Sequence, residues 1–389
     1  MKPPAWNTFR ACAAAGAMAA AMAVAVPASP ALAQAGGDDI QIFGYFQSRF
    51  SVDTQIATQE QQSTFTVQQL NIFLRRPINT RWTSFVNFEA VNSYSSERGW
   101  GAFNLEEAWV SYQRGPGLTV KMGLLIPRFN RLNEIKNRMP LLPYIIRPLV
   151  YESSFSELIA VDEFIPRRAY AQLQGSRRAD EVRFDYAAYV GNSRHVNANE
   201  STNFTGVDTT DFFMGGGRLG LRHKDTELGV SFTGEKMDLN DFFPDAADSL
   251  GLSRQTLDDT PFTRLGVDFT TRFRRASLES EFISIVYHED VAGFNIDKQF
   301  GYVTLGYQFT DRWFAYATYW ETRENYWFPY LDNVDQTFRI SGGGFSCVVN
   351  DRVTLKGQAG TGTYESRVPG LDLSEYDFDH TSLAVSVFF

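Results

Sequence analysis

The chain has little of what cross-linking or metal chemistry needs. Its 389 residues include two cysteines and four histidines. Cys12 lies in an N-terminal apolar run and Cys347 stands alone in the remainder. Once that run is removed, an intramolecular disulfide and a thiolate metal cluster are both excluded. His195, His223, His288 and His380 are scattered, with no H-x-x-x-H spacing, and no G-x-S-x-G elbow is present. The glycines of "GGGFSCV", residues 342–348, fit a close approach or bulge in a strand better than a phosphate loop, which needs a following helix. No catalytic residue, metal or cofactor is expected, and the chain reads as no enzyme. Basic charge is also scarce: 36 Lys and Arg face 45 Asp and Glu, a net −9, which argues against nucleic acid as a partner. Beyond the leader, no apolar run is long enough for a membrane-spanning helix. No linker, low-complexity tract or repeat marks a second domain.

What is present begins with export. Lys2 and Arg10 precede an almost unbroken small apolar run, Ala11 to Val26, and Ala31-Leu32-Ala33 supplies a cleavage pattern. Residues 1–33 read as a secretory signal, with cleavage after Ala35 as the alternative, and 34–389 as a single domain. No lipoprotein box surrounds Cys12. At the other end, "HTSLAVSVFF" places Leu383, Val385, Val387 and Phe389 on one strand face, with Thr381, Ser382, Ala384 and Ser386 around them. Such a strand with a terminal phenylalanine resembles the assembly signal of bacterial outer-membrane barrels.

Alternation of apolar with polar or small residues recurs along the whole chain. Strands are expected at 40–52, 64–76, 81–91, 102–113, 118–126, 167–174, 181–191, 214–222, 227–237, 262–273, 276–288, 298–309, 312–323, 336–349, 352–363 and 380–389. That is about sixteen, the even count a single-chain bacterial barrel requires. Connections after even strands are short, such as "PINT", "GSRRAD" and "HKDT", whereas long ones follow odd strands, among them 192–213, 238–261 and 364–379. This parity implies an all-β fold, a transmembrane antiparallel β-barrel with turns on one side and loops on the other. Trp82 and Trp313 open two strands after short turns, and Tyr319, Trp320, Tyr326, Trp327 and Tyr330 gather at the far end of another. They are expected to form two aromatic girdles at the lipid boundaries.

Three stretches in order, "IQIFGYFQSRF", "EEAWVSYQ" and "KMGLLIPRFN", resemble the phosphate-selective porin superfamily, porin O/P-like channels. The resemblance implies trimeric, sixteen-stranded outer-membrane channels, often anion-selective, with solutes from phosphate to organic acids. This chain departs from some relatives in lacking a helical extension before its first strand.

The connection after the fifth strand, residues 127–166, is the longest in the chain, and long loops of this kind are usually functional. Folded inward, it would narrow the channel as a constriction loop. Its first half holds Arg128, Arg131, Lys136, Arg138 and Arg147 against Glu134 alone, and its second half Glu152, Glu157, Asp162 and Glu163. Either these basic residues border the passage, where guanidinium forks replace part of an anion's hydration shell, or they pair with carboxylates and only hold the loop. The expected lumen wall is mixed: Arg49, Arg75, Lys121, Arg168, Arg183, Arg222, Arg264 and Arg272 occur with Glu89, Glu107, Glu181, Asp185, Glu279 and Glu281. The acidic stretches 238–261 and 364–379 read as solvated loops, with a divalent-ion site shared with lipopolysaccharide as the alternative. The expected function is a Gram-negative outer-membrane porin, exported through the periplasm, that passes small hydrophilic solutes by diffusion and prefers anions such as phosphate or organic acids. Expected partners are outer-membrane lipid, lipopolysaccharide, the solutes and two further copies in a homotrimer. A lipid-acting barrel hydrolase and a non-conducting adhesin or structural barrel are the alternatives.

Overall fold

The computed structural model describes residues 40–54, 60–91, 102–115, 117–135, 138–151, 168–193, 213–237, 260–289, 294–328, 331–367 and 374–389. The expected signal segment lies outside these residues. Sixteen strands are present: β1 (Gln41–Thr54), β2 (Gln61–Pro77), β3 (Trp82–Val91), β4 (Ala102–Gln113), β5 (Thr119–Leu125), β6 (Arg168–Ala179), β7 (Val182–Asn192), β8 (Phe213–His223), β9 (Thr226–Met237), β10 (Thr260–Phe273), β11 (Ala276–Glu289), β12 (Phe294–Gln308), β13 (Trp313–Phe328), β14 (Leu331–Asn350), β15 (Val353–Arg367) and β16 (Ser374–Phe388). Each pairs antiparallel with its sequence neighbours, and β1 meets β16 to close the barrel. Gly44 and Phe389 exchange both backbone hydrogen bonds across that seam, at 2.9 and 3.0 Å. Closure leaves no sheet edge, which is what lets strands cross hydrocarbon.

The burial pattern is inverted relative to a soluble protein. Along β10, Phe262, Arg264, Asp268 and Thr270 are buried, whereas Leu265 between them is 48% exposed. Leu219 and Phe273 are 70% and 71% exposed, and Phe184, Phe232 and Leu305 join them in an outward apolar belt. A belt of that extent needs lipid as its solvent. Leu383 and Val385 take the outward parity on β16, opposite the buried Ser382 and Ser386.

Tight turns close one rim. Asp180, Lys224 and Arg274 each begin a two-residue turn with left-handed backbone, φ 53°, 53° and 55°. Strand β6 runs on to Ala179, so the connection expected to span "GSRRAD" contracts to Asp180 and Glu181. The opposite rim differs from expectation on the β13 to β16 side. Strand β13 reaches Phe328 and β14 begins at Leu331, leaving two residues between them. Much of the supposed loop 364–379 is strand, because β15 continues to Arg367 and β16 starts at Ser374. The acids Glu375, Asp377 and Asp379 alternate with Tyr376, Phe378 and His380, so the stretch has strand period despite its charge. Of 238–261, only Thr260 and Pro261 lie within the described residues.

Trp320 corrects the expected girdle. It shares parity with Tyr316 and Thr318, is fully buried on the inner face and donates from Nε1 to Thr318 Oγ1 at 2.6 Å. Tyr326 also packs against the inner apolar cluster. Trp82 and Trp313 do stand outward at the short-turn rim, against Tyr112 and Phe345, and Tyr319 is exposed midway along β13.

Candidate functional site

The stretch after β5 leaves the wall for steric reasons. Gly123 has φ +133°, and a Cβ there would sit 2.2 Å from the Ala108 carbonyl oxygen, so only glycine fits. Pro127 has no N–H for a ladder. At Asn130 the backbone turns left-handed, φ 46°, a conformation asparagine tolerates.

Residues 128–135 and 138–151 then bond to the inner faces of strands far apart around the barrel. On one side, the Arg128 amide donates to Gln172 Oε1 of β6 (2.9 Å) and the Asn130 amide to Ser231 Oγ of β9 (2.9 Å). Glu281 of β11 accepts from the Arg131 and Leu132 amides at 3.1 and 2.7 Å and from the Tyr151 hydroxyl at 2.6 Å. On the other side, Gln358 of β15 accepts from the Ile145 and Ile146 amides at 2.7 and 2.9 Å. Lys356, also of β15, donates to the Met139 carbonyl at 2.8 Å and to Gln47 Oε1 of β1 at 3.0 Å. Burial, with Glu281 beside it, pushes the Tyr151 hydroxyl well above the usual phenol range, so it stays a donor. Tyr144 is shifted the same way by burial and Glu279.

Apolar contact holds the segment more firmly than these bonds do. Phe129, Leu132, Leu142, Ile146, Leu149, Val150 and Tyr151 pack with Phe262, Ile283, Ile285, Ile296, Phe300, Trp320, Phe338 and Ile340 of the β10 to β14 wall in one cluster. Each such side chain contributes about 1.5–3 kcal/mol on burial, against about 0.5–1.5 kcal/mol net per hydrogen bond. At Gly266 a Cβ would meet Asn130 Oδ1 at 2.3 Å and the Phe129 ring at 2.7 Å, so a side chain there would push the segment off.

The inner wall from β6 to β10 is ionic instead. Arg168 and Arg264 both bind the buried Glu235, at 2.7 Å each. Arg264 has no exposed surface and also lies 3.9 Å from the Phe262 ring centroid, sealed from the interior space. Nearer the short turns, Arg218 binds Asp268 (2.5 Å) and Glu227 (3.1 Å), Arg222 binds Glu227 (2.5 Å), and Arg183 binds Asp185 (2.8 Å). Between this wall and the segment lies a cavity of about 260 Å³. Arg128, Arg131, Arg183, Arg218 and Arg222 line it with Glu134, Asp185 and Glu227, five guanidinium groups against three carboxylates.

The expected site residues therefore divide. Arg128, Arg131 and Arg183 come together at the cavity, Arg128 bound to Glu134 at 2.8 Å and Arg131 donating to Thr270 Oγ1. Arg138 is half-buried, its amide donating to the Ile135 carbonyl, and Arg147 is half-buried directly after the Gln358-bound Ile146. Lys136 and the acids of residues 152–166 lie outside the described residues. Lys121 rests 4.8 Å over the Trp109 ring, Arg49 is half-buried on β1, and Arg272 is exposed at the turn end of β10. Arg218, which lines the cavity and binds the buried Asp268 behind it, was not among the expected site residues. Arg218 lies four residues from Arg222 at the same strand parity, and that signal was available.

No family model matches the sequence, and no curated relative does. Several solved structures share the shape. They include OmpT, an outer membrane protein of Vibrio cholerae (8% identity, TM-score 0.58, covering 92% of this chain and 100% of that one), solved also in a trimer form. An anion-selective porin from Comamonas acidovorans matches at 11% identity and TM-score 0.58, over 90% of this chain and all 100% of its own. The outer membrane channel DcaP of Acinetobacter baumannii matches at 10% identity and TM-score 0.57, over 93% and 100%. At such identities the likeness shows the fold, a porin-like outer-membrane barrel, and does not single out the phosphate-selective porins. The expectation that the chain is no enzyme is corrected here. OmpT is among the structures it resembles, and a barrel shared at 8% identity excludes no activity, because one fold hosts unrelated chemistries.

Proposed function

We propose that the chain is an outer-membrane porin in which residues 127–166 form the constriction and small hydrophilic solutes pass along the ionic side of the lumen. The observation that carries this reading is the 260 Å³ cavity, bounded on one side by Arg128 and Arg131 of the segment and on the other by Arg183, Arg218 and Arg222 of the wall. Its excess of guanidinium over carboxylate favours anions, whose oxygens a planar fork can bind in pairs. Phosphate and small organic acids fit that chemistry. The trimer form of OmpT supports a homotrimer of this chain, exported through the periplasm after loss of residues 1–33.

Purified, detergent-folded protein should migrate as a heat-modifiable barrel and open ion-conducting pores in planar bilayers. A chain that stays dispersed without detergent would end the reading. Reversal potentials across a salt gradient give the sign of selectivity: anion preference should weaken when Arg128→Ala and Arg131→Ala are combined. An unchanged potential removes both residues from the mechanism. A second reading, a non-conducting barrel, is favoured by the apolar cluster that fills one side of the interior. Conductance above the bare bilayer rules it out.

A further inference from the structure

A third stretch of inner wall, β1 to β4, carries a run of rings that belongs neither to the large apolar cluster nor to the ionic wall. Phe43, Phe73, Phe85 and Trp109 stack in succession across these four adjacent strands. Their ring centroids lie 5.1, 5.7 and 4.9 Å apart, with interplanar angles of 25°, 27° and 23°. Spacing in this range is what offset aromatic pairs prefer. Phe43 takes the inner parity of the buried Tyr45 and Gln47, opposite the outward Ile42. Tyr45 meets Phe73 edge-on at 5.2 Å and braces the stack. The stack stands near the short-turn mouth, because Phe73 and Phe85 lie four residues or fewer from the ends of β2 and β3.

The two ends of the stack differ. Lys121 of β5 lies 4.8 Å over the Trp109 ring and closes that end as a cation on an aromatic face. At the other end, Phe73 covers one face of Phe43, yet Phe43 stays 41% exposed whereas Phe73 and Phe85 are 4% and 8% exposed. This free surface faces the lumen, so lipid is not what meets it. In the next inner row toward the short turns, Arg75 stands between Gln41 and Phe85. It is exposed, and its guanidinium has no hydrogen bond or ion pair among the described residues. One wall thus presents an open aromatic ring beside an unpaired cation.

We propose that this part of the short-turn mouth binds aromatic carboxylates, the ring extending the stack on Phe43 and the carboxylate taking the fork of Arg75. Phosphate or an aliphatic acid would engage the guanidinium alone, and a neutral aromatic the ring alone. Only a solute that carries both groups uses both. The proposal rests on the porin reading in giving that channel a solute class, but binding is measured without conduction, so the two can fail separately.

The test is saturation-transfer NMR on the detergent-folded barrel, with benzoate, cyclohexanecarboxylate and benzamide as probes. Benzoate should bind at least several-fold more tightly than either analogue. Phe43→Ala should remove its advantage over cyclohexanecarboxylate, Phe43→Tyr should keep it, and Arg75→Gln should remove its advantage over benzamide, each in a barrel that is still heat-modifiable. Equal binding of the three probes by the unmodified protein overturns the proposal without any variant. So does a preference for benzoate that survives both Phe43→Ala and Arg75→Gln, or one that is lost in Arg128→Ala, Arg131→Ala with Phe43 and Arg75 intact, which would put the ligand in the cavity instead. A barrel that conducts in planar bilayers without preferring benzoate defeats this proposal alone. One that prefers benzoate but conducts nothing defeats the porin reading alone.

Discussion

The two sides of the lumen are built on opposite principles. From β10 to β14 the inner face carries a large aromatic and aliphatic cluster, and side chains of residues 129–135 and 138–151 pack into it as into a core. From β6 to β10 the inner face carries arginine–carboxylate pairs beside a smaller cluster of Tyr170, Tyr189 and Met214, and the segment touches it through single hydrogen bonds to Gln172, Ser231 and Thr270 with a cavity between. A strand that crosses a membrane must be apolar outside, but its inner parity is free to be either. This chain packs residues after β5 against one side and leaves a cavity lined by charged groups at the other. Apolar side chains hold the segment at little electrostatic cost, whereas the facing wall neutralises most of its charges in buried ion pairs and leaves Arg183 and Arg222 partly exposed.

The largest change should follow from destroying the apolar side. Replacing Phe129, Leu149 and Tyr151 together by alanine removes three buried anchors, each contributing about 2–5 kcal/mol. Single-channel conductance should rise severalfold as the segment leaves the β10 to β14 wall, and an unchanged pore would mean that the hydrogen bonds to Glu281 and Gln358 suffice. Next, Glu235→Gln leaves the buried Arg168 and Arg264 without their shared carboxylate. Chemical denaturation in detergent should show a loss of about 3–5 kcal/mol. Arg264→Met, measured beside Arg218→Met, sharpens the division within the ionic side itself. Both should lower stability, but only Arg218, which lines the cavity, should move the reversal potential.

Alkali probes the junction of the two sides. Tyr144 and Tyr151 have hydroxyls raised by burial, so their stabilisation is fully present below the unfolded phenol value of about 10 and is lost as pH rises above it. Thermal midpoints should be insensitive to these groups between neutral pH and that value, then fall, and Tyr151→Phe should blunt the fall. The smallest effect is expected from Lys121→Met, which removes a cation over Trp109. About 0.5–1 kcal/mol of stability is at stake there.

The barrel was legible because a period of two survives wherever one face meets lipid. Strand β10 shows this directly, with Leu265, Val267 and Phe269 outward between Arg264, Asp268 and Thr270. The same rule misled at Trp320, since a bulky aromatic near a strand end suggests a girdle, whereas its parity with Tyr316 and Thr318 assigns it to the interior. The acids of β15 and β16 concealed strands, because charge above the belt is solvated on a strand as readily as in a loop. Within the site, Arg128 and Arg131 were readable from their place directly after β5. The partners of Arg264 were not, because Glu235 and Phe262 are brought to it by the register of β9 on β10 and by strand alternation, and no linear motif encodes that pairing.

Lys356 and Gln358 have a bearing on biogenesis. They lie on the next-to-last strand, and Lys356 reaches Met139, 217 residues earlier in the chain. Gln68 and Gln69 of β2 also bond to Ile145 and Met139, so a segment synthesised early waits for β15 only to complete its second set of attachments. Contacts of such sequence separation form late, because the intervening chain must first be brought together. Seating of the internal segment and closure of the cylinder should therefore be one kinetic event, and a precursor stalled before β15 should still admit protease to residues 138–151.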